Sequence, residues 1–247
     1  MKRAWITGAS QGIGRALACE LAKQGWLVAV SARNQAALQQ LAEQQPGITP
    51  FAVDVTDRQG LQQCYQRLKS EWGMPDWVIL NAGTHIPTPL AHFSGESVRQ
   101  LFNLNVLATL ELLAWVLADM RERNQGRIGV MGSLSSYRGL PSAAAYGAGK
   151  AALHHACEAL QLELMGSGVS LKIIHPGFVE TPLTARNPFP MPFLISAEEA
   201  ARRIVRGMQR QSLQIVFPRR LAWPLALLRL LPYRCYATLI RWFTGYG

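Results

Sequence analysis

The sequence predicts an α/β fold, a doubly wound parallel sheet with helices on both faces, and three observations point there. Apolar runs of strand length recur at Ala4-Trp5-Ile6, Trp26 to Val30, Phe51 to Val53, Trp77 to Leu80, Arg127 to Met131 and Leu171 to Ile174. The longer stretches between them carry helical periodicity. Gly or Asp bounds the runs, so each strand-helix-strand passage reads as a βαβ unit whose strands lie parallel under helices. A chain of 247 residues buries a full core as one domain.

The first run is followed by Thr7-Gly8-Ala9-Ser10-Gln11-Gly12-Ile13-Gly14 and then a helical stretch, Arg15 to Lys23. Glycines at 8, 12 and 14 permit a tight turn, admit the backbone to a pyrophosphate and bring its charge to a helix N-terminus. Such a turn between strand and helix makes the architecture Rossmann-type, with ligands expected beyond the carboxyl ends of the strands. At the end of the second strand an acidic residue would bond the ribose of NAD and repel a 2′-phosphate. Val30-Ser31-Ala32-Arg33 carries no acid there. The Arg33 guanidinium suits a phosphate and Ser10 adds a hydrogen bond, so NADP (NADPH) is the expected cofactor.

Ser133 follows the fifth strand, Tyr146 comes thirteen residues later, and Lys150 four beyond that. Residues i and i+4 share a helix face, so Tyr146 and Lys150 can point into one cleft. A phenol with an ordinary pKa near 10 is a poor acid-base at neutral pH, but a nearby ammonium stabilises phenolate. That combination points to proton exchange at a substrate oxygen.

The GxxxGxG spacing, Asp54-Val55 after the third strand, Asn81-Ala82-Gly83 after the fourth, and the Ser133, Tyr146 and Lys150 set resemble the short-chain dehydrogenase/reductase family over roughly residues 3 to 182. The resemblance implies an NADP-dependent oxidoreductase interconverting a ketone or aldehyde and an alcohol by hydride transfer. Tyr146 is then general acid/base, Ser133 holds the substrate oxygen, Lys150 also bonds the nicotinamide ribose, and Asn105 orders a water in a proton relay. Around the cofactor it sets Gly8, Ser10, Gln11, Gly12, Ile13, Gly14, Arg33, Asp54, Val55, Asn81, Ala82 and Gly83, with Tyr146, Lys150, Pro176, Gly177, Val179 and Thr181 at the nicotinamide end. Two of these have simpler readings, Asp54 as a helix N-cap and Thr181 as an ordinary turn hydroxyl. Gln11 stands where the family often carries a second basic residue.

One departure is Tyr146-Gly147-Ala148-Gly149-Lys150, where family members commonly have Ser or Ala in place of the glycines. Glycine costs up to about 1 kcal/mol each inside a helix. Close approach of this helix to its copy in a homodimer or homotetramer would offset that.

Beyond Thr181 lies an apolar, proline-punctuated loop with Leu183, Phe189, Met191, Phe193, Leu194 and Ile195, and Ser196 with Glu199 forms a capping-box pattern. We expect a substrate lid over about 182–210, within a domain spanning 1–218. An apolar lid favours an apolar carbonyl or alcohol substrate, unless these residues pack on the body or on a partner subunit.

Residues 219–247 form a basic apolar C-terminal tail. The net charge of +10 is uneven, with ten Arg against Glu198 and Glu199 from residue 186 onward. Tyr236, Leu239, Ile240 and Phe243 make a helical apolar stripe, while Pro224, Pro232 and the arginines interrupt any run long enough to span a bilayer. Such a tail suits peripheral contact with an anionic inner membrane surface, or packing on a neighbouring subunit. No nucleic-acid footprint is expected.

Four cysteines lie far apart without a CxxC pair, and Met1-Lys2-Arg3 runs directly into the first strand, so cytoplasmic residence is expected. The five histidines form no metal pattern, and no metal is expected. His154 and His155 read as packing or surface residues, and His85 and His92 more as loop surface than as cleft lining. An epimerase of the longer sugar-nucleotide branch is disfavoured by the glycine spacing. The remaining alternative is a non-catalytic NADP-sensing or membrane-associated scaffold of the same fold.

Overall fold

Alternation along β1 (Arg3–Thr7) sets the layers. Ala4 and Ile6 point into one core cluster and Trp5 into the other, on the opposite face. A computed structural model describes residues 1–186 and 190–245. In it a seven-stranded parallel sheet has the order β3-β2-β1-β4-β5-β6-β7, with β2 (Leu27–Ser31), β3 (Ile48–Pro50), β4 (Trp77–Leu80), β5 (Gly126–Met131), β6 (Val169–Pro176) and β7 (Gln214–Phe217). The chain reverses direction between β1 and β4, the switch point where this architecture binds ligands.

One face carries α1 (Gly12–Lys23), α2 (Gln35–Gln44) and α7 (Ala197–Gln209), whose Leu17, Leu21, Leu38, Ile204 and Met208 bury against Val28 and Val30. The other carries α3 (Arg58–Trp72), α5 (Ala108–Glu122) and α6 (Ala144–Glu163), packed through Leu61, Leu112, Val116 and Leu153. Strands covered on both faces read as continuous apolar runs, which is why most were visible in the sequence. The Trp5 indole, fully buried, satisfies its N–H on Ser31 Oγ at 2.9 Å. The long apolar stretch 95–122, comprising α4 (Gly95–Phe102), a π turn (Asn103–Leu107) and α5, is half buried in this core.

The strands differ from expectation in two places. The third strand lies at Ile48–Pro50, not Phe51–Val53, because Val28 to Val30 find their partners there; Phe51 and Val53 only extend the ladder by single bonds to Val30 and Ala32. β7 was not expected at all. Of the stretch expected as a lid, about 182–210, Ala197–Gln209 forms α7, which is capped by Ser196 on the Glu199 N–H and packs Ala200, Ala201 and Ile204 against α1. Within the expected lid, Phe189 lies outside the described residues.

The tail forms α8 (Arg219–Leu228) and α9 (Tyr233–Thr244). Arg138 holds them to the body. Its guanidinium donates to the carbonyls of Leu228 at 2.6 Å and Leu231 at 2.8 Å, a cation at a helix C-terminus, and lies 4.1 Å from the Tyr236 ring centre. The Tyr236 hydroxyl donates to the Gly139 carbonyl. Tyr236 and Ile240 of the expected stripe are buried, but Phe243 is exposed.

Candidate active site

Beyond the end of β1 the chain turns through Gly8 and Gly12, both in the left-handed region. A methyl at Gly8 would stand 2.7 Å from Ala82 Cα, and one at Gly14 would stand 2.4 Å from the Gly8 carbonyl oxygen. Only glycine lets α1 begin this close to the strand end. Asn81 locks the turn, its side-chain amide donating to the Thr7 and Gly8 carbonyls at 3.0 Å each. The Thr7 hydroxyl receives the backbone N–H groups of Asn81 and Ala82. No side chain caps α1, whose N-cap is Gln11, so its first-turn N–H groups face outward with their partial positive charge. This cradle fits a dinucleotide pyrophosphate.

Ser10 borders the turn, and Ile13 packs partly into the core beneath it. Arg33, mostly exposed, stands 3.9 Å from Asp54. Asp54 accepts from the Thr56 N–H and hydroxyl, whereas the N-cap of α3 is Asp57, bonded to Gly60. Val55 is buried. At the other end, Thr181 brings its methyl to 3.2 Å from a methyl placed on Gly12, joining the segment after β6 to the glycine turn. The Thr181 hydroxyl is engaged with Thr184 at 3.1 Å. Val179 is a core residue, and Gly177, following Pro176, makes room for Pro218 and Leu221 at the start of α8.

Ser133 lies beside Tyr146, near enough to act on its phenol. Burial pushes the Tyr146 phenol above its ordinary value, and the Ser133 side chain works the other way. Lys150, one helical turn on, is buried with its Nζ 5.8 Å from the Tyr146 ring centre. Burial lowers this ammonium to about 8, and it donates to the Met131 carbonyl at 2.6 Å. Asn105 lies in the π turn, a distortion frequent at functional sites. Its buried amide exchanges two bonds with the Thr84 backbone, both 2.8 Å. A methyl on Gly83 would meet Asn105 Oδ1 at 3.1 Å and Lys150 Nζ at 3.8 Å, so these groups converge.

The glycines of α6 serve the chain itself. A methyl at Gly147 would lie 3.3 Å from the Ser135 carbonyl, and one at Gly149 would lie 3.1 Å from Val106. They let α6 approach the Ser133 turn and the π turn, so their explanation does not need a second subunit.

Two histidines pack against these residues: His85, weighed from the sequence as cleft lining but read more as loop surface, and His175, not singled out there. The His85 ring packs edge-on against Tyr146, centroids 4.6 Å apart, so it lines the cleft instead of the loop surface. His92 remains exposed. His175, fully buried on β6, places Nδ1 3.0 Å from the Ser133 carbonyl, beside Ser136 and His154. Only the PG dipeptide after it gave a signal, and that pointed one residue downstream.

A glycine cradle thus stands at the switch point of an α/β sheet, beside a tyrosine and a buried lysine. The family model described as short chain dehydrogenase matches residues 2–189, and the chain belongs to this short-chain dehydrogenase/reductase family of oxidoreductases. An uncharacterized oxidoreductase of Myxococcus xanthus is 38% identical over 235 residues, 94% of this chain and 93% of the relative. The ketoacyl reductase HetN of Nostoc is 31% identical over 87% of this chain and 78% of its own length. The fold also matches a crystal structure of a short-chain dehydrogenase from Streptomyces avermitilis, with a TM-score of 0.81, 24% identity and coverage of 100% of this chain and 98% of that one.

Proposed function

We propose that the protein is an NADP-dependent reductase of apolar ketones or aldehydes, working reversibly on the corresponding alcohols. The observation that carries this is the convergence beside the Ser133 turn of Tyr146, the buried Lys150, whose Nζ is 5.8 Å from the Tyr146 ring centre, and Asn105. Bound NADPH supplies the hydride. Gly8, Gly12 and Gly14 would hold its pyrophosphate, Arg33 and Ser10 its 2′-phosphate, Asp54 and Val55 its adenine, and Val179 and Thr181 its nicotinamide end. The absence of an acid after β2 and the exposed Arg33 guanidinium support NADP over NAD.

Tyr146 gives its proton to the carbonyl oxygen as that oxygen becomes an alkoxide, and takes it back in oxidation. Ser133 donates to the same oxygen. Lys150 keeps a positive charge near the phenol, which favours phenolate, and would bond the nicotinamide ribose. General acid catalysis of this kind contributes about 10²- to 10⁴-fold. Asn105 fixes the Thr84 backbone and, in this reading, orders the relay water. His85 covers the phenol ring and shields it from bulk solvent.

An apolar substrate is supported by the loop before α7, where Phe193 and Leu194 are exposed. A ketoacyl chain, the kind of substrate named for the Nostoc relative, has that character. A homodimer or homotetramer is supported by exposed apolar residues on α6, Ala148 and Leu162, and by the exposed Leu107 of the π turn. Four free cysteines suit the cytoplasm. The tail supports peripheral contact with the anionic inner membrane surface, because it exposes Trp223, Leu230, Tyr233 and Trp242 among arginines.

The test is NADPH oxidation with a series of ketones and aldehydes of increasing chain length. Turnover that rises with length supports the proposal. No turnover with any carbonyl, despite NADPH binding, would instead favour the cofactor-sensing alternative.

A further inference from the structure

β7 is an outer strand of the sheet, and an open groove of about 700 Å³ runs along it. Arg203 and Arg206 of α7, with Arg210 just after its end, line one part, and Arg219 and Arg220 at the start of α8 another. Phe193 and Leu194, from the loop that ends the lid, complete the wall. Glu199 engages Arg203 at 2.7 Å and approaches Arg206 at 3.7 Å. Among the described residues no ion pair involves Arg210, Arg219 or Arg220, and no acidic residue follows Glu199 in the sequence. The groove therefore carries net positive charge.

Its apolar continuation is α8. From Arg220 the helix presents Trp223 and Leu227 at spacings of three and four, and Leu230 follows in the turn after it, with 67%, 62% and 80% of their surfaces exposed. Arginines at one end of an exposed Trp-bearing stripe match the boundary between phosphate headgroups and acyl chains. A second copy of the same face would set like charges against each other.

We propose that the groove between α7, β7 and α8 is a seat for the phosphate headgroups of an anionic membrane, with Trp223, Leu227 and Leu230 entering the acyl boundary. This rests on the membrane-facing reading of the tail and goes further by naming the lipid chemistry and the residues. The segment that walls the groove also reaches the cleft. Ile195 bonds Phe178 and Glu180, just beyond the Pro176-Gly177 turn. A headgroup in the groove thus brings the lid to the bilayer surface, where apolar carbonyl substrates partition.

The experiment is flotation of the full chain with vesicles of phosphatidylcholine, alone or mixed with phosphatidylglycerol, for wild type and an Arg210→Glu, Arg219→Glu, Arg220→Glu variant. NADPH turnover on a soluble ketone and the oligomeric state serve as controls. Wild type is expected to float only with phosphatidylglycerol and to be released by salt, and the variant to bind at least about tenfold more weakly with unchanged turnover. If wild type floats and the variant floats equally well, the headgroup seat is wrong while the membrane-facing reading survives. Failure of wild type to float overturns both. Saturable binding of inorganic phosphate without flotation identifies a free-anion site, and a changed oligomeric state a subunit contact; either overturns the proposal.

Discussion

His175 Nδ1 lies 3.0 Å from the carbonyl oxygen of Ser133, a contact that ties β6 to the turn carrying the Ser133 hydroxyl beside Tyr146. Burial first, then the neighbouring His154, lower this imidazole to about 4, so it is neutral at physiological pH and its Nδ1–H can donate to that carbonyl. His175→Leu removes the donor and should lower kcat by about tenfold, while His175→Asn, whose amide can reach the same carbonyl, should keep most of it. Equal loss in both variants would assign His175 to packing alone.

The same imidazole makes stability depend on acid. Its folded pKa lies below the unfolded value near 6.5, so the unfolded chain binds more protons between those values. The associated stability, on the order of 3 kcal/mol, is present above pH 6.5 and lost as pH falls toward 4. Denaturant midpoints across that window should fall steeply for wild type and more gently for His175→Asn.

Lys150 acts in the same sense at higher pH. Its ammonium is lowered to about 8 by burial, so below that pH the folded chain carries a buried charge that opposes folding. As pH rises from 8 toward 10.5 only the unfolded state keeps the proton, and stability from this group increases. The Tm of wild type relative to Lys150→Met should therefore rise across that window in the absence of cofactor, by calorimetry of both proteins. A flat difference would mean that Lys150 keeps its ordinary pKa.

Gly14 has no room for a side chain. A methyl there would sit 2.4 Å from the Gly8 carbonyl oxygen and 2.6 Å from the Asn81 amide. Gly14→Ala should cost about 1–3 kcal/mol, lower Tm by several degrees and weaken NADPH binding, which protein fluorescence titration reads.

Arg33 is the expected discriminator of the 2′-phosphate. Arg33→Ala should reduce kcat/KM for NADPH by at least about tenfold and leave that for NADH nearly unchanged. An undiminished preference for NADPH would move the recognition elsewhere, with Ser10 the next candidate.

Much of this was legible in the chain because the signals are local. Five strands are continuous apolar runs, the glycine turn lies between strand and helix, and Tyr146 and Lys150 are one helical turn apart. β7 escaped notice because four residues among arginines resemble the flank of a helix. Phe51 to Val53 outweighed Ile48–Pro50 because proline reads as a strand breaker, yet β3 is an outer strand, where proline is tolerated. His175 was not singled out, and His85 was read more as loop surface than as cleft lining, for a different reason. Their roles arise from contacts with Tyr146 and Ser133, 61 and 42 positions away, which no spacing rule encodes. Gly147 and Gly149 suggested a subunit contact, whereas the space they provide is filled by Ser135 and Val106 of the same chain.

The most direct measurement is turnover of Tyr146→Phe on a ketone that wild type reduces, alongside its affinity for NADPH. Loss of the phenol proton should lower kcat by about 10²-fold or more while the dissociation constant for NADPH stays within a small factor of wild type. Full turnover by that variant would contradict the assignment of the proton to Tyr146.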